Sequence, residues 1–234
     1  MTAPVRHLDA HVDTHLAGSS LASRALYRVV RFFVCDLLRL YTRMEIEGRQ
    51  HLPASGPYVL APVHRSYIDT PISGALTTRR LRFMGKDTMW THRWLGWLFS
   101  ALGAFPVRRG TADREALKRC ITVLERGEPL VLFPEGERKD GPEVFPLKDG
   151  AAFVAARAGV PIVPVGIGGS ARVMPRHAKF VYPRKVHVIV GAPIRAEVGA
   201  SGRASRRAVA ELTAQLHAEL QRLYDAAQAA VGAM

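Results

Sequence analysis

His64 and Asp69 stand five positions apart in "APVHRSYIDTP", residues 61 to 71, directly after an apolar run. An imidazole joined to a carboxylate can take up and hold a proton near neutral pH. On a regular helix, at about 100° per residue, the two would lie roughly 140° apart and could not meet. Thr70 followed by Pro71 offers a way out, because it reads as an N-cap with proline at the first helical position. The helix is then expected to start after the pair. His64 to Asp69 becomes a strand-to-helix loop, free to curl until the carboxylate reaches a ring nitrogen.

The elements that must hold such a loop follow from the pattern on either side of it. "MEIEG", "PYVLAPV", "LRFMG", "PLVLFPEG", "VPIVPVGI" and "KVHVIVG" are short apolar runs that read as strands. Residues 71 to 79, 87 to 102, 111 to 126 and 148 to 158 read as helices, as does 204 to 230, with Leu212, Leu216, Leu220 and Leu223 on one side. The alternation predicts a single α/β domain over 44–234, a mixed, mostly parallel sheet covered by helices. Ligands in such sheets sit where strands end and loops begin. The loops to watch are therefore "HRSYID", "GAFPVRRG" and "FPEGER".

Ahead of this domain, "LASRALYRVVRFFVCDLLRLYTRM" has neither Gly nor Pro and reads as one long helix over 21–43. Arg24, Arg28, Arg31, Arg39 and Arg43 fall on one side, and Leu21, Leu26, Val29, Val30, Phe33, Leu37 and Leu40 on the other. A bilayer span needs about 20 apolar residues, and the arginines interrupt every run. Two readings remain: an amphipathic helix in the membrane interface, drawn to anionic headgroups, or a helix packed on the core. Trp90, Trp94 and Trp97 cluster beside a further apolar run, which suits a membrane boundary, an acyl-chain channel or a buried core helix. Together the two segments favour a protein on a membrane surface. In residues 1–20, His7, His11 and His15 recur every four positions and on a helix could hold a metal. That stretch lacks an apolar face to fold against, so it reads as a disordered polar terminus. It also lacks the basic segment and apolar core of a secretory signal.

Of the 234 residues 33 are Lys or Arg and 20 are Asp or Glu, a formal charge of +13. The partner is expected to be anionic: nucleic acid, a phospholipid surface or a phosphorylated substrate. The basic residues are scattered, with neither an aromatic-interleaved RNA motif nor Cys/His finger spacing, which argues against nucleic acid. Cys35 and Cys120 are too few and too far apart for a disulfide framework or zinc site, and no metal is expected. The nucleophile elbow G-x-S-x-G and the phosphate loop G-x-x-x-x-G-K-[ST] are absent. "GIGGSA" imitates a dinucleotide fingerprint, but Pro175 would break the helix it needs and no acidic residue follows at about 20 positions.

Four blocks in fixed order resemble the lysophosphatidic acid and glycerol-3-phosphate acyltransferase family. They are H-x4-D from His64 to Asp69, then "GAFPVRRG" with Gly103, Phe105 and Arg109, then "FPEGER" with Glu137 where the family has Thr, then "VPIVPVGI". The resemblance runs from about residue 43 to 190. It implies that His64 is a general base and that Asp69 orients it, so that an acceptor hydroxyl loses its proton as it attacks a thioester. It implies that Arg109 binds the acceptor phosphate. Lys86 in "MGKD" is a candidate second ligand, and either residue could instead be a solvated surface charge, a reading that the short block favours for Lys86. Glu135 is implied to bind a glycerol hydroxyl or an arginine, and Gly136 to let backbone N–H groups approach the oxyanion. Arg138 is implied to point at phosphate, with Glu137 as a new acidic neighbour. The fourth block is implied to line the site.

The reading that follows is a peripheral enzyme on the cytoplasmic face of a membrane, moving an acyl group from acyl-coenzyme A to lysophosphatidic acid to give phosphatidic acid. Acyl-coenzyme A is then a co-substrate and no cofactor is needed. Glycerol-3-phosphate, another lysophospholipid or a glycolipid is the alternative acceptor. From another class, a non-catalytic basic module binding membrane or nucleic acid stays open. Within enzymology a covalent route through Ser66 competes with direct transfer.

Overall fold

The computed structural model describes residues 20–107, 114–197 and 204–232. Seven strands form one sheet: β1 (Glu45–Glu47), β2 (Val59–Pro62), β3 (Arg82–Lys86), β4 (Ala104–Val107), β5 (Leu130–Val131), β6 (Ile162–Gly168) and β7 (His187–Val190), in the order β1-β7-β6-β2-β5-β3-β4. All neighbours run parallel except β6 and β7. The expected mixed, mostly parallel sheet is what the chain forms. β2 lies between β5 and β6, in register Val59↔Leu130 and Val59↔Ile162, with all four of its residues buried. Apolar side chains on both faces are what a parallel strand covered on both sides requires. "VPIVPVGI" supplies β6, buried throughout its length.

The helices are α1 (Leu21–Arg31), α2 (Leu37–Tyr41), α3 (Asp69–Ala75), α4 (Arg93–Ala101), α5 (Arg114–Glu125), α6 (Gly150–Ala158), α7 (Ser170–Val173) and α8 (Arg206–Ala230). Along α8 the predicted stripe Leu212, Leu216, Leu220 and Leu223 is buried. It lies on β6 so closely that a Cβ at Gly166 or Gly168 would meet the helix backbone at Leu223 or Ala227. The glycines of "GIGGSA" thus serve helix–sheet packing.

Four expectations fail for identifiable reasons. "GAFPV" forms the strand β4 rather than a loop, at the sheet edge where Pro106 costs no ladder bond. The stretch 87–102 divides into a single 3₁₀ turn, Asp87–Trp90, and α4. The N-terminal helix is interrupted by a π-helical turn, Phe32–Asp36. Its wider spacing lets Arg31 reach Asp36 five residues on, at 3.2 Å, while Arg31 Nε donates to Thr77 O. Finally, α3 begins at Asp69, not after it. Thr70 and Pro71 fall inside the first turn, where a missing N–H leaves no helical bond unmade.

Candidate active site

β2, β3, β4, β5 and β6 all run the same way and deliver the chain to the same end of the sheet, where β2 is followed by His64 and β5 by the turn that carries Glu135. The His64 Nδ1 to Asp69 Oδ2 distance is 3.0 Å. The same Oδ2 accepts the backbone N–H groups of Arg65 and Ser66, each at 2.6 Å. An oxygen that accepts two backbone N–H groups is acting as acceptor, so ring Nδ1 donates to it, and in the neutral ring the lone pair is then on Nε2. Asp69 is wholly buried and His64 is 8% exposed. The ring stacks on Phe133, centroids 3.9 Å apart and planes 21° apart, which fixes its tilt. The question raised by the five-residue spacing is thus answered: the two do meet, because α3 presents Asp69 from its first turn to the loop curling over it.

Beneath the pair sits a buried ion pair that the sequence did not announce. Arg65 Nη1 lies 2.7 and 2.9 Å from the two Glu135 oxygens, and its Nη2 donates to Glu143 O. The guanidinium also covers the Tyr224 ring of α8, 4.7 Å from its centroid. Glu135 accepts from the backbone N–H groups of His64 and Phe145 as well, at 3.2 Å each. Of the two roles open to Glu135, the described contacts show the arginine. Gly136 has φ +78°, and its N–H donates to Phe133 O. That donor is therefore engaged in a turn and not offered to an oxyanion. The positive φ favours glycine here, and the flexible end of the Lys148 side chain lies 2.8 Å from where a Gly136 Cβ would stand. Lys139 N–H donates to His64 O, which ties the third block to the first.

Of the basic candidates, Arg138 and Lys86 are among the described residues. Arg138 stacks on Tyr67 at 3.5 Å, and its Nη1 has no partner among the described residues. Its expected acidic neighbour turns elsewhere: Glu137 pairs with Lys139 at 2.7 Å, which holds the Glu137 carboxyl below its ordinary value. Lys86 is exposed at the end of β3, in register with Val107 of β4. Arg108 and Arg109 follow Val107 and lie outside the described residues, as do His7, His11 and His15. Ser66 is buried, and its hydroxyl donates to Met174 O at 2.8 Å. The sequence reading missed Arg65, Phe133, Tyr67 and Lys148. An arginine beside the histidine was the one available signal, and nothing in its neighbours marked it as buried.

A buried, hydrogen-bonded His–Asp pair thus stands at the carboxyl end of a mostly parallel sheet, where α/β proteins place their ligand sites. A family model described as acyltransferase matches residues 43–168, and the chain belongs to that family. It is 30% identical over 158 residues to a chloroplastic 1-acyl-sn-glycerol-3-phosphate acyltransferase of Brassica napus, covering 66% of this chain and 46% of that protein. It is 28% identical over 160 residues to the 1-acyl-sn-glycerol-3-phosphate acyltransferase of Bacillus subtilis (strain 168), covering 68% and 77%. The matched stretch thus spans about half the length of the plant relative. Among solved structures, the 1-acyl-sn-glycerophosphate acyltransferase PlsC of Thermotoga maritima superposes with TM-score 0.72 at 20% identity, over 93% of this chain and 87% of that one.

The Arg65–Glu135 pair yields a stability prediction. Arg65→Met leaves a buried carboxylate without its counter-charge and should cost about 3–5 kcal/mol in denaturant unfolding. A loss below about 1 kcal/mol would show that Glu135 is satisfied by its backbone donors alone.

Proposed function

We propose that this chain acylates lysophosphatidic acid from acyl-coenzyme A, giving phosphatidic acid, and that the His64–Asp69 hydrogen bond carries the chemistry. His64 Nε2 takes the proton of the acceptor hydroxyl as its oxygen attacks the thioester carbonyl. Asp69 fixes the tautomer and stabilises the imidazolium that results. Collapse of the tetrahedral intermediate breaks the C–S bond, and the imidazolium returns its proton to the departing thiolate. Ser66 is absent from this scheme, because its hydroxyl is buried and committed to Met174 O. Direct transfer is therefore favoured over a covalent intermediate.

Arg138 fits the phosphate role through its unpartnered Nη1, on the same turn that holds Glu135. Lys148, stretched over Gly136, is a second cation near that turn. Lys86 at the end of β3, and Arg109 two residues past β4, complete the set of basic candidates. Glu135 acts from beneath through Arg65 and the His64 backbone, as a positioning residue. The names of the relatives support a phosphorylated glycerolipid as acceptor; glycerol-3-phosphate or another lysophospholipid is the alternative.

The membrane reading has its own support. Leu21, Val29, Phe32, Phe33, Leu37 and Leu40 are exposed, from 50% to 85%, while Tyr27 and Cys35 of the same segment are buried. The segment rests on the domain through those two residues, through Leu38 packed on the core and through Arg31, whose Nε donates to Thr77 O, and presents its exposed apolar residues outward. Trp94 and Trp97 of α4, 67% and 66% exposed, add to the apolar surface. Among the described residues no helix is long and apolar enough to cross a membrane. A surface of this kind suits attachment in the interface, at the cytoplasmic face where coenzyme A thioesters are made available.

Purified protein given labelled palmitoyl-coenzyme A and a panel of glycerol lipids should convert lysophosphatidic acid to phosphatidic acid. His64→Ala should lose at least about 10²- to 10⁴-fold in turnover, and Asp69→Asn nearly as much, with folding unchanged. Kinetics should be sequential; a burst of free thiol before acceptor is added would replace direct transfer by a covalent route. Phe32→Ser/Phe33→Ser/Leu40→Ser should weaken co-sedimentation with liposomes at least tenfold. Undiminished sedimentation would remove this segment as the attachment.

A further inference from the structure

The arginines of α1 do not share one environment: Arg31 is engaged by Asp36 and Thr77. Arg24 and Arg28 line a cleft of about 370 Å³ together with Arg79, Arg80, Arg126 and Tyr27. The Arg80 guanidinium lies over the Tyr27 ring, 5.8 Å from its centroid, and its Nη2 donates to Ala101 O. Arg80 Nε is buried with no partner among the described residues. Arg79 donates to Pro53 O and Gly127 O. Glu128 is the one carboxylate of the described lining, and Arg82 holds it fork-on, with Nε–Oε2 at 2.6 Å and Nη2–Oε1 at 2.9 Å. Among the described residues none of the five lining arginines forms an ion pair, although Arg80 and Arg24 feel Glu128 at longer range. Burial, reinforced by neighbouring Arg82, pushes the Arg80 guanidinium down to about 10.

Crowded cations with one engaged counter-charge are an unfavourable arrangement, and an anion in the cleft would relieve it. Arginines supplied to one cleft by two loops and a helix suit the several acceptor oxygens of a phosphate better than a single carboxylate. The location separates this cleft from the reaction. Arg79 and Arg80 precede β3, and Arg126 precedes β5, whereas His64 and Glu135 follow the far ends of β2 and β5. These strands run parallel, so the cleft opens at the opposite edge of the sheet. One phosphate could not serve both. The same α1 that supplies Arg24 and Arg28 leaves Leu21 and Val29 exposed, 85% and 53%.

We propose that this cleft is a second phosphate site, which takes the phosphate of an anionic phospholipid headgroup from the bilayer on which α1 lies. The lipid source rests on the membrane-surface reading above; the phosphate chemistry does not. Bound there, a headgroup would join α1 to the loops before β3 and β5 and set the angle at which the domain sits on the membrane. Ligand held by the folded chain alone also stabilises it, which makes the site measurable.

The full chain is melted against rising dihexanoyl phosphatidylglycerol, dihexanoyl phosphatidylcholine and inorganic phosphate, each below any micelle concentration. Phosphatidylglycerol should raise Tm saturably. In Arg24→Gln/Arg126→Gln, two exposed positions whose loss should leave the fold intact by circular dichroism, its half-saturating concentration should rise about tenfold or more. The charge-matched Arg157→Gln/Arg206→Gln should behave as wild type, and phosphatidylcholine should give no cleft-dependent shift. Equal responses in the two double variants would overturn the site. Saturation by inorganic phosphate at the same concentration as by lipid would overturn the lipid source while keeping the phosphate. Liposome co-sedimentation of the Phe32/Phe33/Leu40 variant reads the membrane attachment separately, so the two failures are distinguishable.

Discussion

A single carboxylate oxygen organises the candidate site. Asp69 Oδ2 gathers the N–H groups of Arg65 and Ser66 and the ring of His64 around itself. Hydrogen bonds to a charged group contribute about 1.5–3 kcal/mol each and together offset part of the cost of burying this carboxylate, whose Oδ1 has no partner among the described residues. Placement in the first turn of α3 helps, since a helix start favours negative charge. The loop therefore has little freedom to open. Its closure leaves His64 with Nδ1 occupied and with no hydrogen bond at Nε2 among the described residues.

Around this closure the structure adds a second, parallel tie. Glu135 bonds the His64 backbone and Arg65 at once, and Lys139 N–H takes the His64 carbonyl. The loop after β2 and the turn after β5 thereby form one unit, although some 70 residues separate them. α8 reaches the same unit through Tyr224 beneath Arg65. A buried arginine and glutamate are costly to bring out of water, and what they supply is a fixed relation between segments distant in sequence. The sheet makes that relation possible by bringing β2 and β5 side by side in register.

Much of this was legible in the residues. Buried strands announce themselves as continuous apolar runs, and β2, β3, β6 and β7 stand where such runs stand. α8 was readable because its leucines keep helical spacing over many turns. The H-x4-D and F-P-E-G blocks mark the site because each needs particular chemistry at fixed spacing. Other features depend on contacts far along the chain. Thr70 and Pro71 looked like a cap, yet the carboxylate of Asp69 bonds backward into the loop and draws the helix start with it. The arginine stripe looked uniform, yet Arg31 belongs to Asp36 and Thr77, while Arg24 and Arg28 line a cleft with Arg79 and Arg80. Glu137 chose Lys139 over Arg138, a choice between adjacent cations that spacing does not decide. "GAFPV" hid its strand because glycine and proline dominate a local reading and edge position does not show in sequence.

The central claim is that Asp69 holds the His64 proton on Nδ1 and leaves Nε2 free to accept another. Nitrogen-15 spectra of the His64 ring, assigned by comparison with His64→Ala, test it without any assay of turnover. In the neutral ring the account predicts a protonated Nδ1, strongly deshielded by the carboxylate, and an unprotonated Nε2. The same spectrum in Asp69→Asn should lose that deshielded proton. A neutral ring protonated at Nε2, with Nδ1 bare, would contradict the account.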